Sequence, residues 1–188
     1  MASGEFSFIG EALAFDFVNT EIVVRRKPVD LLNSPADLLD WWRAALDHYQ
    51  LANVSLAEVS QPLFEKARNV RAALRKIFTA VVTEQKVRPS DLELLNDVLR
   101  SGYIYLVAMP DGRFAMRQGS DDENAMLLAI VNSAAWLLTE CERERLHKCK
   151  NEFCVLMFLD TTKNSSRVWC SIDCMNRARS AERYRQAR

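Results

Sequence analysis

Histidine occurs only twice in this 188-residue chain, and glycine and proline five times each. Those shortages narrow the chemistry before any motif is read. Two histidines leave no plausible Ser/His/Asp set, and the glycines form no loop that could cradle a phosphate. Adjacent acids such as Asp121, Asp122 and Glu123 read as the first turn of a helix interacting with its dipole rather than as an acid/base pair. An enzyme is therefore not expected. There is no internal repeat, Gly/Ser linker or low-complexity segment, and no apolar run approaches the ~18 residues of a membrane span. The opening MASGEFSFIG carries an acid and no basic region, so no secretory signal is expected. A cytoplasmic, reducing setting without membrane contact follows as the expectation.

What is present suits a folded chain: 49% of residues are apolar, enough for a real core. The net charge of zero is unevenly spread. Residues 143–188 hold 11 Lys and Arg against 5 Asp and Glu, while residues 1–142 hold 14 against 20. A basic tail on an acidic body points to a module for polyanions joined to a domain that is not one.

Helical periodicity dominates the body. SPADLLDWWRAALDHYQL opens with Ser34 as N-cap and Pro35 in the first turn, and sets Leu38, Leu39, Trp42, Ala45, Leu46 and Tyr49 on one face. Leu63, Ala67, Val70, Leu74, Ile77, Phe78 and Val81 recur at helical spacing in the next segment. A third helix is predicted from the cap at Ser90 to a left-handed stop at Gly102. Two strands around Pro110-Asp111-Gly112 then predict a β-hairpin near 103–118. A last helix is expected from the acids at 121–123 to the basic ERERLHK. The fold class is α+β, mainly α: a helical domain over 1–142 with a small hairpin, then a separate module over 143–188.

That module holds four of the five cysteines, as CKNEFC (Cys149, Cys154) and CSIDC (Cys170, Cys174). Gaps of four and three residues do not match a CxxC redox motif, and disulfides conflict with a reducing compartment. Four thiolates form the closed tetrahedral set of one structural zinc. Between the pairs, VLMFLD and RVW read as two strands about the turn TTKNSS, and Ser171 as the cap of a final helix. A knuckle, a hairpin and a helix make a treble-clef-like arrangement. Some forty residues cannot fold without such a metal, which predicts that the module is unfolded without zinc. Cys141 reads as a small apolar helix residue, and His147 as a bystander to the four sulfurs.

FLDTTKNSSRVWCSIDCMNRARSAERYR resembles the CGNR zinc finger, a bacterial C-terminal module. The body resembles the ABATE domain found in front of it, through FDFVNT (15–20), LLNSPADLLDW (31–41), VRAALRKIF (70–78), Leu95-Asn96 and SAAWLL. The resemblance spans nearly the whole chain and implies a stress-responsive transcription regulator. Two departures stand out: Met175 replaces the signature glycine, and three residues separate Cys170 from Cys174 where the family commonly has four.

The basic residues support DNA as partner on their own account. Asn176, Arg177, Arg179, Arg183, Arg185 and Arg188 crowd the final helix, with Lys163 and Arg167 in the preceding hairpin, and Arg suits phosphate and guanine contacts. The alternative is a zinc-stabilised protein-protein or small-ligand module without DNA contact. In it the basic helix docks on the acidic body, and Asn176 with Arg177 bonds Asp160. In the body, Asp16, Asn19, Thr20, Arg71 and Asn96 are polar members of apolar stretches. They either close a structural network or line a pocket for a small-molecule effector. A regulator of this kind is commonly a homodimer.

Overall fold

Ser34 and Ser60 each accept a 3.2 Å hydrogen bond from the backbone N–H three residues on, at Asp37 and Leu63. They thereby start two long helices of the body, α2 (Pro35–Tyr49) and α3 (Gln61–Val82). The computed structural model describes residues 6–51, 56–120 and 124–186; Asp121, Asp122, Glu123 and Arg188 lie outside the described residues. α3 runs through the centre and touches α1 (Leu13–Val18), α2, α4 (Pro89–Arg100) and α5 (Ala125–Thr139). Its buried face, Leu63 to Phe78, follows the predicted spacing, and α2 adds Trp41 to the expected Leu38, Trp42 and Ala45. No helix among the described residues is long and apolar enough to cross a membrane.

α1 has six residues, all buried, and is too short to persist alone, so its surroundings hold it. Asp16 takes backbone N–H bonds from Ile9 (3.0 Å) and Gly10 (2.7 Å) and the hydroxyl proton of Tyr49. Gly10 permits this approach, since a Cβ there would lie 2.7 Å from Phe15 Cβ. Burial pushes the Asp16 carboxyl up from its ordinary range, against the pull of Tyr49 and the two amides.

Three antiparallel hairpins complete the described structure: β1 (Glu21–Val24) with β2 (Lys27–Asp30), β3 (Tyr103–Ala108) with β4 (Phe114–Gly119), and β5 (Leu146–Lys148) with β6 (Met157–Leu159). The expected hairpin is β3–β4. Several boundaries differ from those predicted. α4 begins after Arg88 rather than at Ser90, with Pro89 in its first turn. Gly102 is no left-handed stop. A Cβ there would strike Leu128 at 2.7 Å, so its smallness serves the packing of α5. α5 ends at Thr139 and the basic run beyond it leaves the helix, because its arginines bond elsewhere. Arg143 donates to the Val81 carbonyl (2.7 and 3.0 Å), and Arg145 to the carbonyls of Asp160 and Thr162 (both 3.0 Å).

The cysteine-bearing segment is stitched to the helical domain. Asn19 accepts from Met157 N and donates to Met157 O, both at 2.8 Å, so one buried amide acts as a strand partner for β6. Leu159 N donates to Gly10 O (3.0 Å) and Arg75 donates to Val155 O (3.1 Å). Leu146, Met157 and Leu159 join the main core. Asn19→Ala strands both Met157 groups without water, at a cost of about 1–3 kcal/mol for each. Chemical denaturation should show the variant about 2–3 kcal/mol less stable; an unchanged midpoint would contradict this role.

Candidate metal centre

The hairpin β5–β6 encloses the first cysteine pair. Cys149 follows β5 and donates its N–H to Leu156 O at 2.8 Å, while Cys154 N bonds Asn151 O at 2.9 Å and closes a tight knuckle. The predicted hairpin between the two pairs is therefore displaced. β6 pairs backward with β5, and Arg167–Trp169 forms no strand. The cause lies in Asp160, whose buried carboxylate takes the N–H groups of Thr162 (2.8 Å) and Arg167 (2.7 Å) and so bends the chain. The second pair sits at α6 (Ile172–Gln186), where Ser171 Oγ accepts the Cys174 N–H at 3.2 Å, the cap that the sequence suggested.

Sulfurs about 2.3 Å from a shared ion at tetrahedral angles lie about 3.8 Å apart. Here Cys154 and Cys170 Sγ are 3.7 Å apart, and the four sulfurs of Cys149, Cys154, Cys170 and Cys174 lie within 4.8 Å of one another. The donor set fits a thiophilic ion in tetrahedral coordination. With protons alone to share, the thiols of Cys154 and Cys170 bond Cys149 and hold it well below the ordinary thiol range, and both are pushed up in return. A divalent cation would remove that competition by favouring all four thiolates.

Further contacts orient the ligands. Cys170 N–H points to Cys149 Sγ (3.4 Å) and Arg177 donates to Cys174 Sγ (3.3 Å). Asn151 accepts from Phe153 N (3.0 Å) and donates to Cys174 O (3.1 Å), tying the knuckle to α6. His147 stands outside the sulfur group with its ring 5.5 Å from Phe158, and Cys141 packs beside the main core.

The basic residues divide among three environments. Asn176 and Arg183, seven residues apart, are exposed on the outward face of α6, and the exposed Arg179 between them also borders the cleft on its other side. Arg177 turns to the metal site, and Arg185 lies 3.7 Å from Glu152 and 3.6 Å from Glu182. Lys163 is exposed in the loop after β6. Arg167 is drawn inward. It donates to the carbonyls of Cys170 (2.8 Å), Trp169 (3.2 Å) and Ile9 (3.3 Å), reaches Glu11 at 3.2 Å, and lies over the Phe158 ring. Asp160 bonds neither Asn176 nor Arg177, being occupied by the turn it shapes.

The polar residues of the body are held in separate networks. Thr20 donates to Phe17 O and accepts from Arg71, both at 2.7 Å, and Arg71 forks onto Asp30 at 2.7 and 2.5 Å. Asp16 and Asn19 have the partners described above, and Asn96 stands apart, exposed on α4. Sequence reasoning missed Arg25, Arg26 and Lys150, which border an open cleft beside the metal site. The signal for Arg25 and Arg26 was the RR pair between the β-branched run IVV and the segment KPVD, a hairpin turn without the usual Asn or Gly; Lys150 had none beyond its place beside Cys149.

A mainly helical region joined to a four-cysteine cluster able to hold a metal ion and a basic terminal helix defines the class of protein. The chain belongs to the ABATE family, described as "Putative stress-induced transcription regulator", whose model matches residues 11–140. Residues 145–188 match the CGNR zinc finger. No curated protein matches the chain.

Proposed function

We propose that the protein is a zinc-containing, DNA-binding transcription regulator whose four-cysteine module presents α6 to DNA. The observation that carries this reading is the outward face of α6. Asn176 and Arg183 are exposed there with Arg179 at the edge, and Arg179 and Arg183 make no ion pair among the described residues. Arg guanidinium groups would take phosphate oxygens and Asn176 an adenine edge or the backbone beside it. Zinc is the ion of choice for four thiolates in a closed set, and a knuckle followed by a helix supports a treble-clef-like reading of the module. Lys163 adds an exposed cation in the loop after β6, whereas Arg167 acts by shaping that loop.

A fluorescence-anisotropy titration of duplex DNA at several salt concentrations tests the reading. Binding should weaken with salt, and Arg179→Ala with Arg183→Ala should reduce the slope of log K against log salt by about one for each phosphate that the variant no longer neutralises. Absence of binding to any duplex at low ionic strength would remove DNA from the account.

The second partner is another copy of the chain. The β3–β4 ribbon exposes Ile104 (62%), Leu106 (72%), Phe114 (76%) and Met116 (67%). Their register places all four on one side of the ribbon. A two-stranded ribbon is marginal by itself, and a patch of this kind marks an interface. The same apolar face on a second molecule supplies a self-complementary cover about a twofold axis. Sedimentation should show a dimer that Leu106→Glu converts to monomer; a monomeric parent protein would exclude this arrangement.

A further inference from the structure

α6 has a second face. Cys174, Ala178, Ala181 and Arg185 recur at spacings of three and four and look away from Asn176 and Arg183, into a cleft of about 800 Å³. The opposite wall is the β1–β2 turn of the helical domain, and the floor is the knuckle with Phe153, Leu156 and Trp169. Space of this size suits a small molecule, since such sites run to roughly 300–1,000 Å³. The small Ala178 and Ala181 side chains help to keep it open.

Charge converges on it from both sides. Six cationic side chains border the cleft against two carboxylates, Glu152 and Glu182, and both carboxylates lie beside Arg185. Arg177 faces the Cys174 sulfur. Arg25, Arg26, Lys150 and Arg179 have no ion-pair partner among the described residues, although Arg26 lies 4.3 Å over the centre of the Phe153 ring. Four thiolates on a divalent ion add two negative charges at the back wall, which still leaves the surroundings of the cleft net positive. The turn is also built at some conformational expense. Arg25 and Arg26 have φ of 50° and 65° in a two-residue loop closed by Val24 and Lys27, a place where Asn-Gly is favoured. Cations held apart across an apolar-floored space make a receptor for an anion with a flat apolar part.

We propose that this cleft binds a nucleotide-sized organic phosphate carrying a planar ring. Its phosphates lie between the Arg25–Arg26 turn and Lys150, and its ring lies against the Phe153–Trp169 floor. The site uses the cleft face of α6, with Arg179 at the border of both faces, and leaves Asn176 and Arg183 free, so it stands whether or not those residues meet DNA. Because α6 forms one wall, an occupied cleft is positioned to bias how that helix is held.

Calorimetric titration of the metal-loaded full chain at low ionic strength, with ATP, inorganic pyrophosphate and adenosine as probes, tests the site. ATP should bind saturably, pyrophosphate more weakly and adenosine most weakly. Arg25→Asn combined with Arg26→Gly restores a favoured turn while removing both cations, so it should lower ATP affinity at least tenfold with no fall in Tm. Lys150→Ala should lower the affinity from the side of the knuckle, and Arg183→Ala should leave it unchanged. Four results would overturn the proposal: no saturable binding of ATP or pyrophosphate, adenosine binding as tightly as ATP, unaltered affinity in the turn variant, or an equal loss in Arg183→Ala that moves the anion to the outward face. None of these results bears on duplex binding, which the salt titration reads separately.

Discussion

Stripping the metal with a chelator is expected to release residues 149–154 and 161–186 while the helical domain and β6 stay folded. Hydrogen exchange followed by peptide mapping should show amide protection lost throughout α6 and retained in α3 and α5. The physical ground is the poverty of other contacts at that end of the chain. α6 has 15 residues and buries only Cys174, and an isolated helix of that length is marginal in water. The apolar cluster around the sulfurs has Phe158 as its one buried side chain besides cysteines. A structural zinc contributes on the order of 10 kcal/mol to small zinc peptides, far more than this cluster could. β6 behaves differently because Met157 and Leu159 belong to the main core and Asn19 holds the Met157 backbone. The sequence alone predicts loss of the whole module; the packing of β6 on the main core narrows the expected loss to the parts beyond that seam. Cys170→Ser should reproduce the effect of the chelator. Full protection of α6 in the metal-free protein would refute the role given to the metal.

Asp30→Ala is expected to lower stability by about 3–5 kcal/mol, the usual cost of stranding one member of a buried ion pair. Arg71 is 2% exposed, forks onto Asp30 and has Glu21 only at 3.8 Å, so the effect should fall toward the lower end of that range. The pair also has a pH signature. Burial works to raise the Asp30 carboxyl, but bonds from Arg71 and the Leu32 amide outweigh it, and the net shift is downward. A carboxyl lowered in the folded state adds stability above its unfolded pKa of about 3.9 and loses it as pH falls through the folded value. The gap between parent and Asp30→Ala should therefore be full at neutral pH and close as the solution is acidified below about pH 4. Urea midpoints measured across that range read it directly; a gap independent of pH would mean that the charge of Asp30 is irrelevant.

Much of the metal site was legible because its information is local. Two cysteine pairs and a Ser171 cap need only spacing to be read, and the structure gathers those four sulfurs. The long helices were legible for the same reason, since Leu63 to Phe78 repeat the helical period on a buried face. What escaped was set by distant partners. α1 is a six-residue helix held by its surroundings, and β1–β2 turns on two arginines where glycine is the usual sign. The strand after the knuckle pairs backward with β5 because Asp160 takes the donors of the following loop. Arg167 and Arg183 look alike as letters in a basic tail. Only the fold turns one inward onto the carbonyls of Ile9 and Cys170 and leaves the other in solvent.

Metal analysis together with X-ray absorption at the zinc edge tests the centre of the account most directly. One zinc per chain with four sulfur neighbours at about 2.3 Å is the result expected of Cys149, Cys154, Cys170 and Cys174 in a closed set. A shell of three sulfurs with a nitrogen or oxygen, or a protein that folds α6 without retaining metal, would contradict it.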